Sequence, residues 1–378
     1  MRGLVIGACV VAWAGAAYAQ SILPRPEAPF EGTLDRTLQG STPQYPTPVR
    51  APAGAPNILI VLVDDAGFGN PSTFGGPVQT PTLDRVAEEG LRYNRFHVTA
   101  LCSPTRAALL SGRNHHAVGF GSIAEAHSGF PGYDAVWPRS AASVARILRD
   151  NGYSTAAIGK WHLTPDDEQG PAGPFDRWPN AMGFEYFWGF LGGEASHYDP
   201  VVVENDTILG VPTEKDFYLT TAMADRAISW LRAQRAQAPD RPFLLYFATG
   251  ASHAPHHVPQ EWAARYAGKF DAGWDALREQ TFARQQERGV IPATARLTPR
   301  AEAFPAWIRS RPTCGSSTHG RWKSTPASRR RRITRWDASS PRSTRSASTT
   351  TRSWSTFSAT TARAWRAPRP APSTSSPR

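Results

Sequence analysis

Asn57-Ile-Leu-Ile-Val-Leu-Val63-Asp64-Asp65-Ala-Gly67 decides how this chain of 378 residues is to be read. The continuous apolar run suits a strand buried on both faces of a parallel sheet. It stops at two carboxylates, and ligands of open α/β sheets bind beyond the carboxyl ends of the strands. Adjacent strand residues point to opposite faces, so Asp64 and Asp65 can meet one ion only if the strand ends there. Gly67 and Gly69 permit that turn. Alone, the Asp-Asp-x-Gly pattern reads equally well as a solvated turn.

Outward from this strand, helix-like and strand-like stretches alternate. The fold class expected is α/β, a mostly parallel central sheet flanked by helices. Residues 80–93 read as a helix capped by Thr80 or Thr82, with Leu83, Val86, Ala87 and Leu91 on one face. A second helix is expected over 140–150, stopped by Asn151-Gly152. Tyr153-Ser-Thr-Ala-Ala-Ile-Gly159-Lys160-Trp161-His162 then reads as a strand that delivers Lys160 and His162 to one face of its far end, with Trp161 opposite. A helix over 217–237 carries Ala222, Ala227, Ile228 and Leu231. The strand that follows, 242–248, empties into Ser252-His253-Ala-Pro-His256-His257. These three histidines could bind a transition metal, but no cysteine or carboxylate partner lies nearby in the sequence.

The remaining chemistry lies in Leu-Cys102-Ser103-Pro104-Thr105-Arg106-Ala-Ala-Leu-Leu-Ser111-Gly112. Of the chain's 3 cysteines, Cys9 and Cys314 fall in terminal segments of unusual composition. A lone thiol beside an arginine, where an apolar helix opens, is placed for chemistry and not for a disulfide. The helix start also aims free N–H groups and the positive dipole end at an anion.

These stretches together resemble the sulfatase family. Cys102-x-Pro104-Thr105-Arg106 with its Leu-x-Ser-Gly turn is similar to one family signature, and Gly152-Tyr153 through Gly159-Lys160-Trp161-His162 to another. Asp176, Gly183 and Gly192-Gly193-Glu resemble bacterial arylsulfatases. The resemblance implies a sulfatase or alkaline-phosphatase-like fold and hydrolysis of small-molecule sulfate esters, aryl sulfates among them. It implies that a maturation enzyme converts Cys102 to formylglycine (3-oxoalanine), whose hydrate attacks sulfur and afterwards expels sulfate. Asp64 and Asp65, with residue 102, would hold Ca²⁺, a hard cation that prefers oxygen. Arg106 would orient the nucleophile, Lys160 and His162 would contact sulfate oxygens, and His253 would protonate the leaving alcohol, a role suited to imidazole. A phosphonate or phosphate ester hydrolase of the same superfamily is the alternative, since it shares this layout.

Four segments are expected. Residues 1–19, with Met1-Arg2, an apolar core and Ala17-Tyr18-Ala19, read as a signal peptide too short to span a bilayer, which implies a periplasmic or secreted protein with no stable membrane span. Residues 20–56 form a proline-rich extension. Residues 57–307 form the N-terminal portion of the catalytic domain. Residues 308–378 contain no Leu, Val or Met, and Ser, Thr and Arg make up 43 of these 71 residues. That composition cannot build a core, so a disordered basic tail is expected. Its 15 Arg, one Lys and single acid, Asp337, contribute +15 to a chain total of +11, leaving −4 for the rest. The basic balance is therefore local: it suits non-specific polyanion binding without catalysis but, with no recognition fold, no specific nucleic acid.

The family's Asp-Asn-Gly motif, which supplies further Ca²⁺ ligands, is missing. Permitted codons for Ser358–Ala362, read from each third base, spell Gly-Asp-Asn-Gly. The tail is thus expected to be a frameshifted reading, and the chain to be truncated and impaired, because Asp64 and Asp65 offer at most about four oxygens where Ca²⁺ takes six to eight. The nucleotide sequence over these codons decides this.

Overall fold

The computed structural model describes residues 29–307. The expected signal peptide with Cys9 and the basic segment with Cys314 lie outside the described residues. Residues 29–48 form a unit of their own. Thr33 and Thr42 bridge in antiparallel fashion, and Thr37 caps a short 3-10 turn, Leu38–Gly40. No described residue of this unit is buried, as befits a proline-rich extension without a core.

The second unit is built on six strands: β1 (Ile58–Leu62), β2 (Ser154–Lys160), β3 (Tyr186–Phe190), β4 (Val202–Glu204), β5 (Thr207–Gly210) and β6 (Phe243–Ala248). They form one sheet in the order β1-β6-β2-β3-β4-β5. The neighbours from β1 to β3 pair in parallel, whereas β4 and β5 run antiparallel as a hairpin. The expected α/β class with a mostly parallel sheet is the one observed.

Helices cover the sheet unequally. α1 (Pro81–Glu89), α2 (Cys102–Ser111), α3 (Val144–Asp150) and α4 (Leu219–Gln237) are followed by α5 (Gln260–Ala264) and α6 (Gly273–Glu287). On one face Ala107 and Leu110 of α2 and Ala145 of α3 pack on Ala157, Leu244 and Tyr246, with Trp161, Trp178 and Phe184 filling the layer. On the other face Leu219, Met223 and Ala227 of α4 pack on Ala156, Ile158, Trp188 and Leu245.

That unequal cover corrects two expectations. β1 is an edge strand with only one face buried: Ile58, Ile60 and Leu62 pack on the core, whereas Leu59 is 58% and Val61 50% exposed. α4 packs chiefly over β2 and β3. Likewise α1 buries none of its residues, ends at Gly90 and leaves Val86 and Leu91 exposed. Its cap residue is Thr80, but no side chain bonds the first turn. The helix expected from 140 starts at Val144, where the Ser143 hydroxyl accepts the Arg146 N–H at 3.0 Å, and Gly152 follows it at φ 88°. In α4, Ile228 points outward.

One close approach needs glycine. Gly159 of β2 sits at φ 110°, and a Cβ there would lie 2.1 Å from the Ala248 carbonyl oxygen and 2.3 Å from Met223 Cε. Only hydrogen fits between β2, β6 and α4. Among the described residues no helix is long and apolar enough to cross a membrane.

Candidate active site

Three neighbouring strands deliver polar residues to the same carboxyl edge: Asp64 and Asp65 follow β1, Lys160 ends β2, and His253 follows β6. The loop after β6 is tied to the end of β1, because Asp64 N–H donates to Ala251 O at 3.0 Å and Ser252 N–H to Asp64 O at 2.8 Å. α2 brings Cys102 and Arg106 to this edge. The expected residues are thus assembled from four separate segments, although not all in the expected contacts.

Asp64 is the centre of a buried charge network. Its Oδ2 accepts from Lys160 Nζ at 2.6 Å, and its Oδ1 lies 3.4 Å from Arg106 Nη2. Burial pushes the carboxyl pKa up, but Lys160 and Arg106 outweigh it and hold the group below its ordinary value. Arg106 is 1% exposed and donates through Nη1 to Lys160 O at 2.7 Å and to Tyr246 Oη at 3.2 Å. Its Nε and Nη2 are buried without a hydrogen-bond partner. Such open donors on an always-charged guanidinium suit a bidentate oxyanion.

Asp65 diverges from Asp64. It adopts φ 54°, stands largely exposed and has His253 Nε2 3.8 Å from its Oδ2. The chain thus turns at Asp65 itself, a left-handed position that Asp tolerates, and neither Gly67 nor Gly69 adopts a positive φ. The three histidines of the loop also separate. His253 faces Asp65, His256 Nδ1 bonds the Ser252 carbonyl, and His257 Nδ1 lies near Ser196 Oγ and His197 N–H.

Cys102 is half-buried in the first turn of α2, whose N-cap, Leu101, makes no side-chain bond. Thr105 returns its hydroxyl to Leu101 O at 2.8 Å, and Gly112 closes the helix in the left-handed region. Burial raises the thiol pKa, but the nearby His162 imidazole, with Lys160 behind it, brings it below its ordinary value.

His162 lies beyond the end of β2 at φ 59°, so strand alternation does not set its direction. Its Nε2 is 2.7 Å from Glu125 Oε2. Desolvation lowers the imidazole pKa, yet Cys102 and Glu125 prevail and raise it. Glu125 is correspondingly depressed to about 2, with His162 and the Gly193 N–H overriding its burial. Glu125 and Tyr246 were missing from the sequence reading. Tyr246 enters the site through its hydroxyl, which accepts from Arg106 Nη1 at 3.2 Å, a contact that only the fold creates.

Among the described residues no group of three or more His, Cys, Asp or Glu is arranged to hold a metal ion. Both Asp64 oxygens are engaged by cations, and Asp65 turns toward His253. The residues described do not fit a calcium shell, which needs about six to eight oxygens.

Comparison with known proteins identifies the family. The family model described as Sulfatase matches residues 56–337, past the last described residue. An uncharacterized sulfatase of Schizosaccharomyces pombe is 32% identical over 267 residues, covering 64% of this chain and 46% of the relative. The arylsulfatase of Klebsiella aerogenes is 29% identical over 252 residues, covering 62% and 51% respectively. The crystal structure of Ps i-CgsB in complex with k-i-k-neocarrahexaose aligns with a TM-score of 0.49 at 25% identity, over 62% of this chain and 53% of that one. The chain spans about half the length of the curated relatives it matches.

Proposed function

Because the chain belongs to the sulfatase family, we propose that it acts on sulfate esters, with residue 102 bearing the nucleophile. The observation that carries this reading is Arg106: a buried guanidinium whose Nε has no partner and whose Nη2 is only ion-paired with Asp64, beside the half-buried Cys102 at a helix start. A sulfate monoester presents spread negative charge, for which such donors in a water-poor site are suited. Aryl sulfates are the proposed substrate class, and a periplasmic or secreted location is proposed with them.

Cys102 is proposed to mature to formylglycine, whose hydrated aldehyde supplies one hydroxyl for attack on sulfur and another for release of sulfate. The chain's own groups do the rest. Arg106 and Lys160 neutralise and orient the sulfate oxygens, sharing their charge with Asp64. His162, whose Nδ1 has no other partner, is the group proposed to hold the side chain at 102. His253, more open than the others, donates the proton to the departing oxygen. Calcium is assigned no step, because the described carboxylates do not fit it.

The test is co-expression with a formylglycine-forming maturation enzyme, followed by peptide mass spectrometry and turnover of a paired aryl sulfate and aryl phosphonate. Expected are conversion at position 102 and slow sulfate hydrolysis that Ca²⁺ does not stimulate and Cys102→Ala abolishes. An unmodified Cys102, or preference for the phosphonate, would overturn the proposal.

A further inference from the structure

Glu125 has no part in the reaction above, yet it is held from three sides. Its Oε2 meets His162 Nε2 at 2.7 Å, and its Oε1 accepts the Gly193 N–H at 3.0 Å. The turn that carries it is tied to the start of α2, where Ala124 N–H donates to Ser103 Oγ at 3.2 Å. Ser103 is fully buried and adjacent to Cys102. Position 193 tolerates no side chain as the site stands: a Cβ would lie 2.6 Å from Glu125 Oε1 and 2.9 Å from His162 Nε2. With Nε2 engaged, His162 Nδ1 is the remaining ring nitrogen, and it is buried without a hydrogen-bond partner.

We propose that Glu125 is the positioning residue of this site: by accepting the Nε2–H of His162 it fixes the tautomer and orientation of the ring, leaving Nδ1 to serve the side chain at 102. A carboxylate can only accept, so Nε2 must carry the proton and the neutral ring has Nδ1 as its acceptor. The Gly193 amide and the Ser103 hydroxyl hold the carboxylate and its turn in register with α2. The assignment rests on the reading of residue 102 and His162 as reacting groups, and its test needs no sulfate ester.

Glu125→Gln keeps the size and the Gly193 contact but presents an N–H to Nε2, which favours the opposite tautomer. In the chain labelled with ¹⁵N-histidine, long-range ¹H–¹⁵N spectra are recorded where the ring is neutral, and His162 is assigned by loss of its signal in His162→Gln. Protonation is expected on Nε2 in the parent chain and on Nδ1 in Glu125→Gln. The alkylation rate of the unmodified Cys102 thiol by iodoacetamide, read on its peptide by mass spectrometry, is expected to change about fivefold in Glu125→Gln, the scale of one oriented hydrogen bond. The same substitution in the His162→Gln background is expected to change nothing.

Gly193→Ala, which displaces the carboxylate from the opposite side, is expected to reproduce both effects. Nδ1-protonated His162 in the parent chain overturns the proposal whether or not the variants fold. So does an alkylation change of equal size without His162, which would mark Glu125 as a distant charge or a packing residue. Sulfate-ester turnover is measured separately, so its absence would count against the reaction and not against this assignment.

Discussion

The Glu125–His162 contact is one interaction seen from two ends, and its titration defines a stability window. Glu125 falls from an ordinary 4.5 to about 2 on folding, so its contribution is complete above pH 4.5 and is lost as pH drops toward 2. His162 is raised above its ordinary 6.5, so the same contribution is complete below pH 6.5 and fades as pH rises through the folded value. The difference in urea midpoint between the parent chain and Glu125→Gln should therefore be greatest between pH 4.5 and 6.5 and should close toward pH 2. A difference independent of pH would refute this. Cys102, Arg106, Lys160 and His162 can be singled out from sequence because each sits in a short contiguous pattern, and the fold brings them to one sheet edge. Glu125 is 37 residues from His162, and Tyr246 is 140 from Arg106, so no local pattern announces either. Glycines are the usual left-handed residues, so the sequence points to Gly67 and Gly69 for the turn, but Asp65 takes that conformation itself.

At the scale of elements, β2 is the most constrained. Gly159→Ala combines a forbidden approach to Ala248 O and Met223 with an unfavourable φ, and should destabilise the fold by about 3–5 kcal/mol by overpacking and strain together. Chemical denaturation measures it, and a loss below about 1 kcal/mol, an ordinary surface effect, would contradict the geometry. β1 presents the opposite case. Val61 faces outward on an edge strand, so Val61→Lys should cost little stability and should lower self-association in light scattering, since charges on edges block pairing. Equal association by both chains would show that another surface is responsible. Strand composition correctly identified β1, β2 and β6 as sheet members. It could not tell an edge from a centre, because Ile and Val look the same in both. The helix expected from residue 80 stopped early at Gly90, and apolar spacing alone did not reveal that nothing described buries its stripe.

For the molecule as a whole, charge is divided between segments, with +15 in residues 308–378 and −4 in the remainder. Retention on a heparin column should accordingly weaken when Arg329, Arg330, Arg331 and Arg332 are replaced by serine, with elution at lower salt. Unchanged elution would locate the polyanion contact elsewhere. The order of the strands has a further consequence, in time. β1 pairs with β6, so Ile58 waits for Leu244, and Arg106 cannot reach Tyr246 until that strand exists. Cys102 leaves the ribosome 146 residues before Ala248. At about 5–20 residues per second this leaves roughly 7–30 seconds in which the segment around Cys102 has no sheet to dock on. The maturation enzyme proposed for Cys102 would find that segment undocked in this interval, which β6 ends.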